Sequence, residues 1–187
     1  MNMEQKNLKP YTLCILVQDI PGVLSQVARL FSRKGYNIES IVSGETDKPG
    51  VTRITIMLLS DDLMIEQIIN QLRKLFVVYS VRLLPPDSSI RRELVLIKVK
   101  AESRDVRNEV IQIANIFRAT IIDVAKESLT IAIIGDENKA DAIQNLLTEF
   151  GILELARTGM VALERGQYTL DEDTKVKGEF DSAKYIH

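Results

Sequence analysis

The chain has 187 residues, 45% of them hydrophobic and 27% charged, with a formal net charge of −2. That length accommodates one large domain or two small ones, and the composition is that of a soluble globular protein. A slightly acidic chain lacks the basic surface that nucleic acid or an anionic membrane demands, and a single cysteine, Cys14, excludes an intrachain disulfide framework.

Scarcity narrows the chemistry further. The one histidine is His187, the last residue, tryptophan is absent and aromatics make up 5%. A metal site built on His and Cys is therefore not expected, nor is a Ser-His or Cys-His nucleophile in an ordered core. The stretch from Met1 to Lys9 is short and polar, without a signal-peptide apolar region. No apolar run is long enough to span a bilayer. A reducing, cytoplasmic setting is the default expectation.

Tyr11 to Val17 is apolar on both faces and reads as a central strand. It runs into Gln18-Asp19-Ile20-Pro21-Gly22, and an amphipathic helix follows from Gly22 to Lys34, with Val23, Val27 and Leu30 on one face. Gly35 is the expected left-handed cap. The first N–H groups of such a helix have no intrahelical partner, and the dipole favours an anion there. Gly22, lacking a Cβ, lets a ligand approach the backbone. The turn reads as a holder for the carboxylate of a small molecule, with an ordinary strand-to-helix turn as the alternative.

Asn37 to Ser43 is a second strand, and Glu45 to Gly50 has the composition of a turn. Val51 to Leu59 is a third strand. Asp61 or Asp62 caps a second helix with Ile65, Ile68, Ile69, Leu72 and Phe76 on its inner face. Val77 to Leu84 is a fourth strand, and Pro85-Pro86-Asp87-Ser88-Ser89 breaks the chain. The order strand, helix, strand, strand, helix, strand is the ferredoxin-like arrangement, one antiparallel sheet with both helices on one side. Leu16, Met57 and Leu59 are expected on the other side, which should be buried against another chain or domain.

The pattern then repeats. Glu93 to Lys100 is a strand, and Ser103 caps a helix bearing Val106, Val110, Ile113 and Phe117. Thr120 to Ala125 and Leu129 to Ile134 are strands. Asp136 opens a helix with Ala140, Ile143, Leu147 and Phe150 inside, and Ile152 to Ala162 holds the last strand. The expected fold is α+β, two ferredoxin-like βαββαβ domains in tandem. They span 9–86 and 91–165, with 166–187 a polar, disordered tail. The second copy carries Ala101-Glu102-Ser103 where the first has its Pro-Gly turn, so a ligand turn is expected only in the first.

The turn Asp19-Ile20-Pro21-Gly22-Val23-Leu24 followed by Gly35-Tyr36-Asn37-Ile38 resembles the ACT domain, a ferredoxin-like module that binds amino acids. Arg92 to Val99, Ile116-Phe117-Arg118-Ala119 and Phe150 to Gly159 resemble the small, regulatory subunit of acetolactate (acetohydroxyacid) synthase. The likeness covers roughly Leu8 to Arg165. It implies a chain with no catalytic residues, no metal and no cofactor of its own. Its implied partner is a catalytic large subunit carrying thiamine diphosphate, FAD and magnesium. The chain would activate that subunit and confer feedback inhibition by valine or another branched-chain amino acid. It further implies a homodimer through the ACT domain. Asp19, Ile20, Pro21, Gly22, Val23 and Leu24 of one chain would then meet Asn37 and Ile38 of its neighbour around the amino acid. Some valine-sensitive members carry Asn where this chain has Asp19, which adds negative charge near the ligand carboxylate while favouring its ammonium. The same topology serves RNA recognition, but that needs stacking aromatics where these strands offer Cys14, Thr55 and Met57.

Overall fold

Six consecutive buried residues, Thr12 to Val17, mark β1 (Lys9–Gln18) as a strand covered on both faces. The computed structural model describes residues 8–170. They divide into two compact units, one running to Ile90 and resuming at Ala162, the other Arg91–Val161.

In the first unit β1 is followed by α1 (Val23–Lys34), β2 (Ile38–Glu45), β3 (Val51–Ser60), α2 (Asp62–Leu72) and β4 (Val78–Leu83). The strands form one antiparallel sheet in the order β2-β3-β1-β4. Strand periodicity sends Leu13, Ile15 and Val17 to one face. There they join Ile54 and Ile56 of β3, Val27 and Phe31 of α1 and Ile65, Ile68 and Leu72 of α2 in one core. Each such side chain contributes roughly 1.5–3 kcal/mol when taken from water.

The opposite face of this sheet is covered from within the chain. Cys14, Leu16, Val51 and Leu84 pack with Ala162 and Leu170. The segment from Ala162 to Leu170 is tied down by polar contacts on the same face. Ser80 Oγ donates to Leu170 O at 2.7 Å, Arg82 Nη1 donates to Thr169 O at 2.9 Å and pairs with Glu164 Oε2 at 2.7 Å. Arg53 Nη2 donates to Ala162 O, and Arg165 N–H donates to Ser88 O at 2.8 Å. Of the three residues expected on this face, Leu16 and Met57 are buried, but Leu59 is 44% exposed.

The second unit holds most of β5 (Ser89–Lys100), then α3 (Arg104–Ile116), β6 (Thr120–Val124), β7 (Ser128–Gly135), α4 (Glu137–Thr148) and β8 (Ile152–Arg157). Its antiparallel order is β6-β7-β5-β8, the same arrangement as the first sheet. Val95, Ile97 and Val99 alternate inward and meet Val110, Ala114, Ile131, Ile133, Ile143 and Leu147. The chain thus has the tandem ferredoxin-like α+β architecture.

Three local expectations are corrected. Phe76 is 93% exposed, because α2 ends at Leu72 and Phe76 falls in the turn beyond it; Leu75 packs on the core instead. Ile152 to Ala162 is two strands, not one: β8 stops at Arg157, Gly159 takes φ +85°, and β9 (Val161–Glu164) pairs with β5. Residues 166–170, assigned to the tail, pack on the first sheet through Leu170. The rest of that tail, 171–187, lies outside the described residues, as do 1–7.

Candidate functional site

Backbone hydrogen bonds fix the turn after β1 from both sides. Gln18 N–H donates to Val77 O and Asp19 N–H to Gly50 O, both at 2.8 Å. Thr52 Oγ1 donates to Asp19 Oδ1 at 3.0 Å. Within the turn Ile20 N–H donates to Gln18 O at 3.0 Å and Val23 N–H to Ile20 O at 3.2 Å. Ile20 and Val23 lean on the core, while Asp19, Pro21, Gly22 and Leu24 are exposed.

Gly22 is the N-cap of α1, at φ +83° and ψ 0°. That left-handed conformation strains any residue with a Cβ. A Cβ built there meets nothing within 4 Å, so the approach to the backbone is open.

The four helix starts differ in one respect. Asp61 Oδ1 accepts from Met64 N–H at 2.7 Å, Ser103 Oγ from Val106 N–H at 3.2 Å and Asp136 Oδ1 from Lys139 N–H at 2.9 Å. These three helices also carry an acid in the first turn, Asp62, Asp105 and Glu137. Helix α1 has neither a side-chain cap nor an acidic residue in its first turn. Among the described residues, its first-turn N–H groups thus have no side-chain cap, and the partial positive charge of a helix N-terminus favours an anion there. In the second unit the corresponding helix start is capped internally by Ser103.

Asp19 to Leu24 are brought together in that turn, but Asn37 and Ile38 are not. Gln18 pairs with Val51 at the start of β3, whereas Ile38 pairs with Leu58 near its end. Seven residues of extended strand separate the two positions by about 23 Å. Within one chain the two groups therefore stand apart.

Sequence reasoning passed over the residues that hold the turn. Thr52 and Val77 sit in unremarkable apolar stretches, and their contact with the turn is set by strand register rather than by any local pattern. At the end of β8, Thr158 N–H donates to Leu94 O at 3.0 Å and Leu94 N–H donates to Thr158 Oγ1 at 3.1 Å, closing β8 onto β5. Arg157 pairs with Asp141 and stands 3.9 Å from the buried Glu93. Among the described residues, no group of three His, Cys, Asp or Glu is placed to hold a metal ion, and no helix is long and apolar enough to cross a membrane.

Comparison with known proteins adds the family. Residues 92–166 match the model for the small subunit of acetolactate synthase, and residues 13–80 match the model for an AHAS small subunit-like ACT domain. The chain is similar to a probable acetolactate synthase small subunit of Methanothermobacter thermautotrophicus, 48% identical over 86% of this chain and 95% of that one. It is 46% identical to the acetolactate synthase small subunit of Mycobacterium bovis, over 84% of this chain and 94% of the other. Its fold is similar to the crystal structure of the acetolactate synthase small subunit from Thermotoga maritima, with a TM-score of 0.79 and 41% identity. The match covers 86% of this chain and 99% of that chain.

Proposed function

This chain belongs to the family of acetolactate synthase small subunits, and from that premise we propose that it is the non-catalytic regulatory subunit of an acetolactate synthase, acting in branched-chain amino acid synthesis. Its partner is the catalytic large subunit, to which the thiamine diphosphate, FAD and magnesium belong. This chain raises the activity of that partner and lowers it again when a branched-chain amino acid, valine in the first instance, occupies the Pro-Gly turn.

The observation that carries the reading is the uncapped start of α1 at Gly22. The carboxylate of the amino acid accepts from the N–H groups of the first turn, each such charge-assisted bond being worth ~1.5–3 kcal/mol. The helix dipole adds about 0.3–1 kcal/mol. Asp19, held by Thr52, accepts from the ammonium, and the isopropyl group adds roughly 1.5–3 kcal/mol on burial. Association and ordering offset much of this. The net corresponds to dissociation constants from about micromolar to millimolar, the range of a metabolite sensor. Asn37 and Ile38 of a partner copy complete the pocket, so the effector site and the homodimer form together.

Reconstitution with the cognate catalytic subunit tests this. Acetolactate formation should rise on adding the chain and fall on adding valine. Gly22→Asp, which puts a carboxylate where the ligand's must sit, should abolish the valine response and leave activation standing. An unchanged rate with and without the chain would sink the proposal.

A further inference from the structure

Behind the first sheet, away from the Pro-Gly turn, a cavity of about 460 Å³ lies between β1, β3 and the returning segment 163–170. That volume falls within the range of small-molecule pockets. Its floor is apolar, made by Leu16, Val51, Leu84 and Leu170. Arg53 lines it, half-buried, and among the described residues no carboxylate pairs with its guanidinium. Among the described residues its hydrogen bonds run through Nη2, to Ala162 O and to Cys14 Sγ at 3.3 Å. A half-buried guanidinium satisfied only by a carbonyl and a thiol retains donors in the forked geometry that matches a carboxylate. The neighbouring Arg82 is already neutralised by Glu164 at 2.7 Å. Glu45 and Asp47, both exposed, line the same cavity. They offer acceptors for an ammonium.

We propose that this cavity is a second small-molecule site, taking an aliphatic carboxylate whose acid group is anchored by Arg53 and whose hydrocarbon body lies on Leu16, Val51, Leu84 and Leu170. The carboxylate comes either from an aliphatic amino acid, whose ammonium then meets Glu45 or Asp47, or from a 2-oxo acid, which has none. The site is separate from the Pro-Gly turn, so its failure leaves the reading of that turn untouched. The two are nonetheless adjacent in the chain: Thr52 grips Asp19 on one face of β3, and Arg53 reaches the cavity on the other. Any differential effect of one ligand on the other's affinity must be reciprocal.

The test is calorimetric titration of the full chain carrying Gly22→Asp, which closes the Pro-Gly turn, with valine and separately with its 2-oxo counterpart, 3-methyl-2-oxobutanoate. Saturable binding of at least one probe is expected. Adding Arg53→Gln should weaken it about tenfold or more, and Arg53→Lys should recover part of the loss. Binding of valine alone assigns the site to amino acids, and binding of the oxo acid, alone or with valine, shows that the carboxylate suffices. Leu163→Trp provides a check that does not touch Arg53. Leu163 is 59% exposed and lines the cavity, so the indole fills the space without disturbing the core, and binding should be lost. Silence for both probes in the Gly22→Asp chain, or affinity unmoved by Arg53→Gln and Leu163→Trp, overturns the proposal.

Discussion

Arg118 is the one non-glycine residue with positive φ among the described residues, at +52°. It follows α3, where Arg118 N–H donates to Asn115 O at 3.0 Å and Ala119 N–H to Ala114 O at 2.8 Å, the pattern of a left-handed helix cap. Glycine is the usual residue there, so Arg118→Gly should stabilise the second unit by about 0.5–1 kcal/mol, read as a higher urea midpoint. Glu93 makes a second prediction. It is 6% exposed, and burial raises its pKa, against the opposing charge of Arg157 and with help from Asp141 and Glu137. A carboxyl whose folded value lies above its unfolded one favours the fold while neutral. That contribution is present below the ordinary carboxylate range and is lost as pH rises through the folded value. Glu93→Gln removes the loss. Relative to the parent chain its unfolding free energy should therefore increase from about pH 4 to about pH 7. An advantage that shrinks over that interval would mean that the pairing with Arg157 outweighs burial.

At the scale of elements, what the sequence discloses is what is local. Apolar patterning marks the strands, and Asp61 or Asp62, Ser103 and Asp136 mark three helix starts, which the structure caps with Asp61, Ser103 and Asp136. Phe76 departs from this pattern, because its spacing continues the apolar stripe of α2 for a turn after the helix has ended. The cover on the first sheet was legible only as a need: apolar residues on both faces of β1 required something to bury them. No pattern near β1 identifies the cover, since Ser80 meets Leu170 across 90 residues of chain. Leu170 is 7% exposed and closes that cluster with Leu16 and Leu84. Leu170→Ala should cost the first unit about 2 kcal/mol, at the lower end for leucine truncation because the site lies at the margin of the sheet. Urea unfolding followed with amide exchange should place the loss in the first unit and leave protection of Ile97 and Ile131 unchanged. A change below a few tenths of a kcal/mol would show that the segment is not held by this contact.

For the molecule as a whole, the sheet order decides how an effector site can be built. β2 is an edge strand, and its start lies about 23 Å along β3 from the Pro-Gly turn. On the proposed function, Asn37 would meet a ligand at Gly22 from a second copy, in a symmetric dimer with two shared sites. This gives a prediction that no single-chain pocket would satisfy. Gly22→Asp and Asn37→Ala should each abolish valine binding by themselves. Mixed in equal amounts and allowed to exchange, they form heterodimers in which one site combines an intact turn with an intact Asn37 while the other carries both lesions. Random pairing makes about half of the dimers heterodimeric, each with one working site, so about a quarter of the parental binding capacity should return at unaltered affinity. Calorimetry on the mixture reads that stoichiometry directly. Recovery near zero, in a mixture shown to have exchanged, would mean that the two residues do not complement across copies and would overturn the shared site. Residual binding in either single variant would mean that the two substitutions act on separate sites.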